Sequence, residues 1–284
     1  MIGTLPARGG LGLKPQHFAA VIEAADSGAG PHWVEVHPQN YTMAGGPMHR
    51  WLGAIAERLP LSFHSVGLSL GDPGGCDREE LERLAALCAR YAPASVSDHL
   101  SWSSLGGERI PDLLPLPMTH AALAHCAAEV SRVQDRLGRT ILIENPSRMI
   151  AFARDDYEEA AFLTELCRRT GCGLLVDVNN LLVSEFNLGL DPRGWIDAID
   201  PRLVGEIHVA GHAIVVEGPA RIAIDDHGSQ VGEACWDLLA HLLSRCGPRP
   251  VLVERDNDVP AFTELAGEVE RADRMVTSEL ADVA

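Results

Sequence analysis

Eight short apolar segments recur along this chain, each separated from the next by a stretch with helical patterning. That alternation limits the possible fold more than any other feature. The segments run over 10–14, 32–37, 61–66, 95–100, 140–145, 173–178, 204–209 and 250–254. Helices are predicted from Pro15 to about Ala25, up to about Arg58, and over Asp77–Tyr91, Thr119–Leu137, Tyr157–Thr170, Pro192–Ile199, Val231–Cys246 and from Ala261 onward, with Asp77 as an N-cap. Regular alternation of strands and helices argues for parallel βαβ units. Eight such units in 284 residues predict an α/β fold, a closed (β/α)8 TIM barrel, which typically needs about 250 residues. An open doubly wound sheet competes, but no strand leads into a G-x-G-x-x-G turn. Residues 67–75 and 101–117 read as long loops, the first rich in glycine and the second in proline. No repeat, low-complexity tract or linker divides the chain, so one domain over residues 1–284 is expected.

Composition narrows the partners. Hydrophobic residues make up 46%, enough for one large core, and the formal charge is −17. A surface that acidic repels phosphate backbones, so no nucleic-acid partner is expected; cationic ligands or metal ions suit it better. The seven cysteines are odd in number and irregularly spaced, with no C-x-x-C, which argues against both a disulfide framework and a structural zinc site. Residues 1–10 contain no apolar signal region, and no apolar run is long enough to span a bilayer. A reducing, cytoplasmic setting is the expectation.

The chemistry gathers where a barrel of this class keeps it, at the C-terminal ends of the strands. These ends carry His37, His64, His99, Glu144, Asp177 with Asn179, His208 and Glu254. Side chains alternate along a strand, so Glu206 and His208 share a face, as do Asp177 and Asn179, and Glu254 and Asp256. Asp225 and His227 follow in the loop after the seventh strand. Taken singly, each residue has an ordinary structural reading: Asp177 could cap a helix, and Glu206 or Asp98 could pair with a neighbouring cation. Together they crowd imidazoles and carboxylates at successive strand ends of one barrel, where burial is costly without a compensating cation. There are more ligands than one ion can use, so two or three metals are expected. Nitrogen and oxygen donors suit iron, manganese or zinc. No P-loop or Ser-His-Asp signature is visible. His120 and His125 are five apart rather than the four of a helical zinc pair.

At these residues the sequence resembles the DUF692 (UPF0276) family of multinuclear non-haem iron-dependent oxidative enzymes. The resemblance rests on His64-Ser-Val-Gly-Leu-Ser-Leu-Gly71, Ser97-Asp-His-Leu-Ser-Trp102, Ile143-Glu-Asn-Pro146, Asp177-Val-Asn-Asn180, Ile207-His-Val-Ala-Gly-His212, Asp225-Asp-His227 and Leu252-Val-Glu-Arg-Asp256. These segments lie in order over nearly the whole chain. The resemblance implies a TIM barrel holding two or three iron ions in mixed ferrous and ferric states, with dioxygen as co-substrate. It implies a precursor-peptide substrate, modified most often at cysteine as in methanobactin biosynthesis, and a leader-binding partner protein in a heterodimer. Carried over by motif, the iron ligands are His64, His99, Glu144, Asp177, Asn179, His208, Asp225, His227 and Glu254, with Glu144 and Glu254 bridging metals. Asp256 is the candidate base, and His212 also matches the family motif. Gln39 stands where related sequences often carry an acidic residue, at the mouth of the barrel, which bears on peptide selection.

Two other classes stay open on the sequence. One is a zinc or manganese TIM-barrel hydrolase or isomerase of the xylose-isomerase-like type. The other is a non-catalytic, metal-binding scaffold that only presents a peptide.

Overall fold

A computed structural model describes residues 5–105 and 108–283; the expectations for residues 1–4, 106–107 and 284 lie outside them. The barrel strands are β1 (Gly9–Gly12), β2 (Val34–Val36), β3 (Leu61–Ser65), β4 (Ser95–His99), β7 (Leu142–Glu144), β8 (Gly173–Asp177), β9 (Val204–Val209) and β12 (Val251–Val253). They close in the order β1-β12-β9-β8-β7-β4-β3-β2, and every neighbouring pair is parallel. This is the predicted (β/α)8 barrel.

Two antiparallel hairpins interrupt it: β5 (Trp102–Leu105) with β6 (Glu108–Leu114), and β10 (Ala213–Glu217) with β11 (Ala220–Ile224). The helices are α1 (Phe18–Asp26), α2 (Pro47–Ala56), α3 (Arg78–Tyr91), α4 (His120–Leu137), α5 (Glu159–Thr170), α6 (Val178–Leu188), α7 (Pro192–Ala198), α8 (Glu233–Cys246) and α9 (Phe262–Val283).

The strand period decides which residues meet. One parity of each strand (Leu11, Val34, Val36, Phe63, Val96, Ile143, Val176, Ile207, Val253) joins the apolar core, which lies between barrel and helices. The other parity points inward and is unusually polar: Glu35, Ser62, His64, Ser95, Ser97, His99, Glu144, Asp177, Glu206 and His208 are all buried. Branched aliphatic side chains usually fill such an interior; here it is organised for polar chemistry. Pairing sets the register of that ring, with His64 beside Ser97, His99 beside Glu144 and Asp177 beside His208.

Caps mark the helix ends as expected. The Asp77 carboxylate accepts from Glu79 N and Glu80 N at the start of α3, and Thr119 accepts from Ala122 N at the start of α4. Three local readings are corrected. The stretch 101–117 is largely the β5–β6 hairpin rather than a loop, and the loop after the seventh strand contains the β10–β11 hairpin. Asn179 does not continue a strand: β8 ends at Asp177, whose carboxylate caps α6 through Asn180 N at 2.6 Å. Among the described residues, no helix is long and apolar enough to cross a membrane. None of the seven cysteines is in a disulfide.

Away from the barrel mouth, Glu159 at the start of α5 is buried and accepts a hydrogen bond from Trp195 Nε1 at 3.0 Å. Burial pushes its carboxyl up to about 7, against the opposing pull of Arg148 and of that bond. A carboxyl raised in the fold holds its proton longer there than in the unfolded chain. Stability is therefore lost as pH rises from below 5 through 7, by roughly 3 kcal/mol at this position. Glu159→Gln keeps an acceptor for Trp195 and removes the ionisation. The variant should gain stability over the parent between pH 5 and 8 and should show no gain at pH 4, read from melting curves at each pH. An equal difference at every pH would refute this.

Candidate metal centre

Among the described residues, five overlapping groups could each hold an ion. Two of them bring Glu35 beside His208 and Glu254, and His37 beside Glu254 and Asp256; the other three hold most of the sequence-derived ligands. In the first of these three clusters, His64 Nε2 and His99 Nε2 lie 3.3 Å apart, and Glu144 Oε2 lies 3.0 Å and 3.3 Å from them. Glu144 Oε2 nevertheless makes no hydrogen bond: three donor atoms face one another without a proton suitably placed between them. The ring of His64 is held from behind by Ser97 Oγ, 2.7 Å from Nδ1.

In the second cluster, His208 Nδ1 lies 3.1 Å from Glu254 Oε2, and His208, Glu144 and Asp177 offer ligand atoms within 4.8 Å of one another. Asp177 Oδ2 is buried without a hydrogen-bond partner. In the third, His227 Nε2 lies 2.7 Å from Asp225 Oδ1, and its Nδ1 lies 3.5 Å from Glu254 Oε1 and 3.3 Å from Asp256 Oδ2. Asp177, His227 and Glu254 again lie within the reach of one ion. Glu144 and Asp177 each belong to two such groups and Glu254 to three, as shared carboxylates between neighbouring ions would.

Electrostatics follow from burial and crowding. Burial pushes His64 and His99 down to about 4, so both are neutral at pH 7 with lone pairs to donate. Burial likewise raises Glu144 to about 7. Burial also raises the Asp177 carboxyl well above its ordinary range, and Asp225 and Glu144 add to the effect. At His208 and His227 burial opposes the charge, but the surrounding carboxylates prevail and hold both rings well above the usual imidazole range. Burial also opposes ionisation of Glu254, yet His227 and His208 hold it well below its ordinary value. Buried carboxylates are thus balanced only by imidazolium, a role a bound cation takes over when it displaces the protons. The donor set is hard nitrogen and oxygen, and several of its buried atoms lack partners, so it fits metal ions.

The chain's local geometry serves the same end. His227 adopts a left-handed backbone at φ 46, a conformation that costs energy and is tolerated where the surroundings fix it; Asp256 N donates to its carbonyl at 3.0 Å. Gly211 lets the chain pass Ser229 and Gln230, where an added Cβ would lie 2.3 Å from Ser229 Oγ and 2.5 Å from Gln230 O.

All nine sequence-derived ligand candidates are brought to this end of the barrel, with different roles in the packing. Asn179 sits between two others: its Nδ2 donates to Asp225 Oδ1 at 2.8 Å, and its Oδ1 lies 2.8 Å from His212 Nδ1. Asp256 lies at the rim, paired with Lys14 and near His37. Burial opposes its charge, but His227, His37 and Lys14 keep its carboxyl below the ordinary range. His37 reaches Glu254 only at 4.0 Å. Gln39 Nε2 donates to Ser65 Oγ at 3.0 Å, beside the mouth. Sequence reading missed Glu35 and Lys14. Glu35 shares strand parity with His37, the signal that could have found it.

Fold and site together define a TIM barrel with a buried histidine–carboxylate centre whose groups could hold metal ions. Residues 8–277 match the family described as RiPP precursor modification enzyme MbnB/TglH/ChrH, RiPP denoting a ribosomally made, post-translationally modified peptide. The chain belongs to that family. A UPF0276 protein of Caulobacter sp. (strain K31) is 50% identical over 272 residues, covering 96% of this chain and 97% of the relative. A UPF0276 protein of Bordetella bronchiseptica is 44% identical over 269 residues, covering 94% of this chain and 92% of the relative. Among solved structures, a xylose isomerase-like TIM barrel protein from Mycobacterium smegmatis in complex with magnesium aligns with a TM-score of 0.57 at 13% identity, covering 98% of this chain and 92% of that one. D-psicose 3-epimerase from Clostridium cellulolyticum H10 aligns at 0.57 and 9% identity, covering 96% and 97%. These structural likenesses establish the barrel and nothing of its chemistry.

Proposed function

We propose that this protein is an iron- and dioxygen-dependent enzyme that oxidises cysteine in a ribosomally made precursor peptide, acting with a leader-binding partner protein. The observation that carries the reading is the triple cluster at the barrel mouth, in a chain whose family modifies such peptides. His64, His99 and Glu144 would hold one ion, Glu144, Asp177, His208 and Glu254 a second, and Asp177, Asp225, His227 and Glu254, with Asn179 alongside, a third.

Iron bound there supplies one-electron chemistry and oxygen activation. The protein supplies the rest. Glu144 and Glu254 would be the carboxylates shared between neighbouring ions. Asp256, kept ionised at the rim by His227, His37 and Lys14, offers a charged hydrogen-bond acceptor to the entering substrate. His212, steadied by Asn179 Oδ1, orients the peptide. The apolar shell around the barrel keeps bulk water from the buried ligands.

The test is the metal content of protein purified without oxygen, with Mössbauer spectra of the iron. Two or more irons per chain in mixed ferrous and ferric states are expected, together with oxygen uptake in the presence of a cysteine-bearing precursor peptide. Zinc or manganese without iron, persisting after iron-supplemented growth, would instead assign the barrel to a hydrolase or isomerase. A full set of irons with no chemistry on any peptide would leave a scaffold.

A further inference from the structure

Beneath the metal centre the barrel holds a second layer of polar groups, of which Glu35 also has a ligand atom within 4.8 Å of those of His208 and Glu254. Glu35 on β2 and Glu206 on β9 are 3% and 0% exposed. Ser62 Oγ lies 2.8 Å from Glu35 Oε2 and 3.4 Å from Glu206 Oε2, and Ser95 Oγ donates to Glu206 Oε2 at 2.9 Å. Hydroxyls thus occupy the outer oxygens and turn the inner ones toward His208. Its Nε2 lies 3.4 Å from Glu35 Oε1 and 3.7 Å from Glu206 Oε1. His208 Nε2 and Glu206 Oε1 are both buried without a hydrogen-bond partner. The other ring nitrogen, Nδ1, points upward to Glu254 Oε2 at 3.1 Å.

An imidazole that gives one nitrogen to a metal keeps its proton on the other, and a carboxylate facing that N–H fixes the tautomer and makes the ligand more basic. His208 has two such carboxylates, both on its Nε2 side. Among the described residues, no other basic side chain forms an ion pair with either. The separations are at or beyond the limit of a formed N–H···O bond, so the pair acts on the ring through its charge.

We propose that Glu35 and Glu206 are positioning residues: they hold the proton of His208 on Nε2 and so commit Nδ1 to the metal between Glu144, Asp177 and Glu254. The effect is strongest at His208: among the described residues neither Glu35 nor Glu206 forms an ion pair with His64 or His99, and His64 Nδ1 meets the Ser97 hydroxyl, although the Glu35 charge also acts on His64. The proposal rests on the metal-binding part of the proposed function and is independent of iron and of the peptide.

The experiment uses cobalt(II) alone as the probe, added to metal-free full-length protein, with affinity read by chelator competition and coordination read from the visible d–d spectrum. Glu35→Gln and Glu206→Gln should each weaken one cobalt site by about 10- to 100-fold and change its spectrum, leaving the remaining sites at parental affinity. The merely structural alternative predicts a lower melting temperature with unchanged site-specific affinities and spectrum; that result would overturn the proposal. So would an anomalous-scattering peak among Glu35, Glu206 and His208 Nε2 in cobalt-loaded crystals, since the layer would then be a metal site itself. Should either variant fail to fold, Ser95→Ala keeps both carboxylates and frees Glu206 to turn. It should weaken the same site several-fold, and an unchanged site would overturn the proposal equally. Parental protein that binds no cobalt, iron, zinc or manganese would remove the metal reading itself, a result distinct from selective insensitivity of the variants.

Discussion

Glu254→Ala should strip more than one metal ion from the protein and abolish peptide oxidation. Most single ligands serve one neighbour, but Glu254 serves two with separate oxygens. Oε2 lies 3.1 Å from His208 Nδ1, and Oε1 lies 3.5 Å from His227 Nδ1. The carboxylate stands between the second and third clusters, and its loss opens both. Outer-layer partners of metal ligands cost about 10- to 100-fold when removed, so a shared ligand should cost at least the upper end of that range in affinity at each position. His99→Ala is the matched comparison. His99 belongs to the first cluster alone, so this variant should lose about one ion and keep the others. Elemental analysis of the two variants beside the parent, with mass spectrometry of the peptide product, decides it. If Glu254→Ala and His99→Ala lose the same amount of metal, Glu254 does not bridge. If either retains full product formation, the ligand assignment fails.

Gly10→Ala should be the most disruptive single-methyl change outside the site. The fully buried Trp33 indole lies over Gly10, and a Cβ there would sit 2.2 Å from its Cε2 and 2.4 Å from its Cδ2. The ring has little freedom to retreat. Its Nε1 donates to Arg8 O at 3.0 Å, and its own backbone is held by Leu11 N donating to Trp33 O at 3.2 Å. Overpacking of this kind costs about 3 kcal/mol or more, equivalent to a fall in Tm of roughly 6–12 °C for a chain of this size. Adding Trp33→Leu to Gly10→Ala should recover part of the loss, a coupling expected only of residues in contact. A Tm for Gly10→Ala alone that matches the parent would show that the strands can part without cost.

The barrel was legible because its strands obey two rules at once. They recur between helical stretches, and they alternate apolar and polar side chains, so the inward parity carries His64, His99, Glu144 and His208 in plain view. The same alternation places Glu35 on the inward face with His37, but a lone carboxylate inside an apolar run resembles a chance polar substitution until Ser62 and His208 are seen around it.

Asn179 was misread as strand because Asp177 serves both as an end-of-strand ligand and as the cap of α6. Its sequence signal, an acidic residue followed by asparagines, fits either role. The β10–β11 hairpin also left a signal that went unread: Ile-Val-Val-Glu, the Gly218-Pro219 turn and Arg-Ile-Ala-Ile form two strand-like runs about a tight turn. What no spacing could supply is the sharing of Glu144, Asp177 and Glu254 between clusters. That depends on which strands become neighbours when the barrel closes.

That hairpin sits between two parts of the centre. It leaves directly after His212 and returns directly before Asp225, and its feet are paired, Ala213 with Ile224. The ladder continues to Glu217 and Ala220, with the turn at Gly218 in a left-handed conformation. The feet are locked by pairing, while among the described residues no hydrogen bond or ion pair joins 217–220 to the metal centre. Residues can therefore be added or exchanged in pairs near Gly218 without shifting His212 or Asp225. The molecule separates what may approach its mouth from what is held inside it, and the first can be rewritten along the whole hairpin while the second stays fixed.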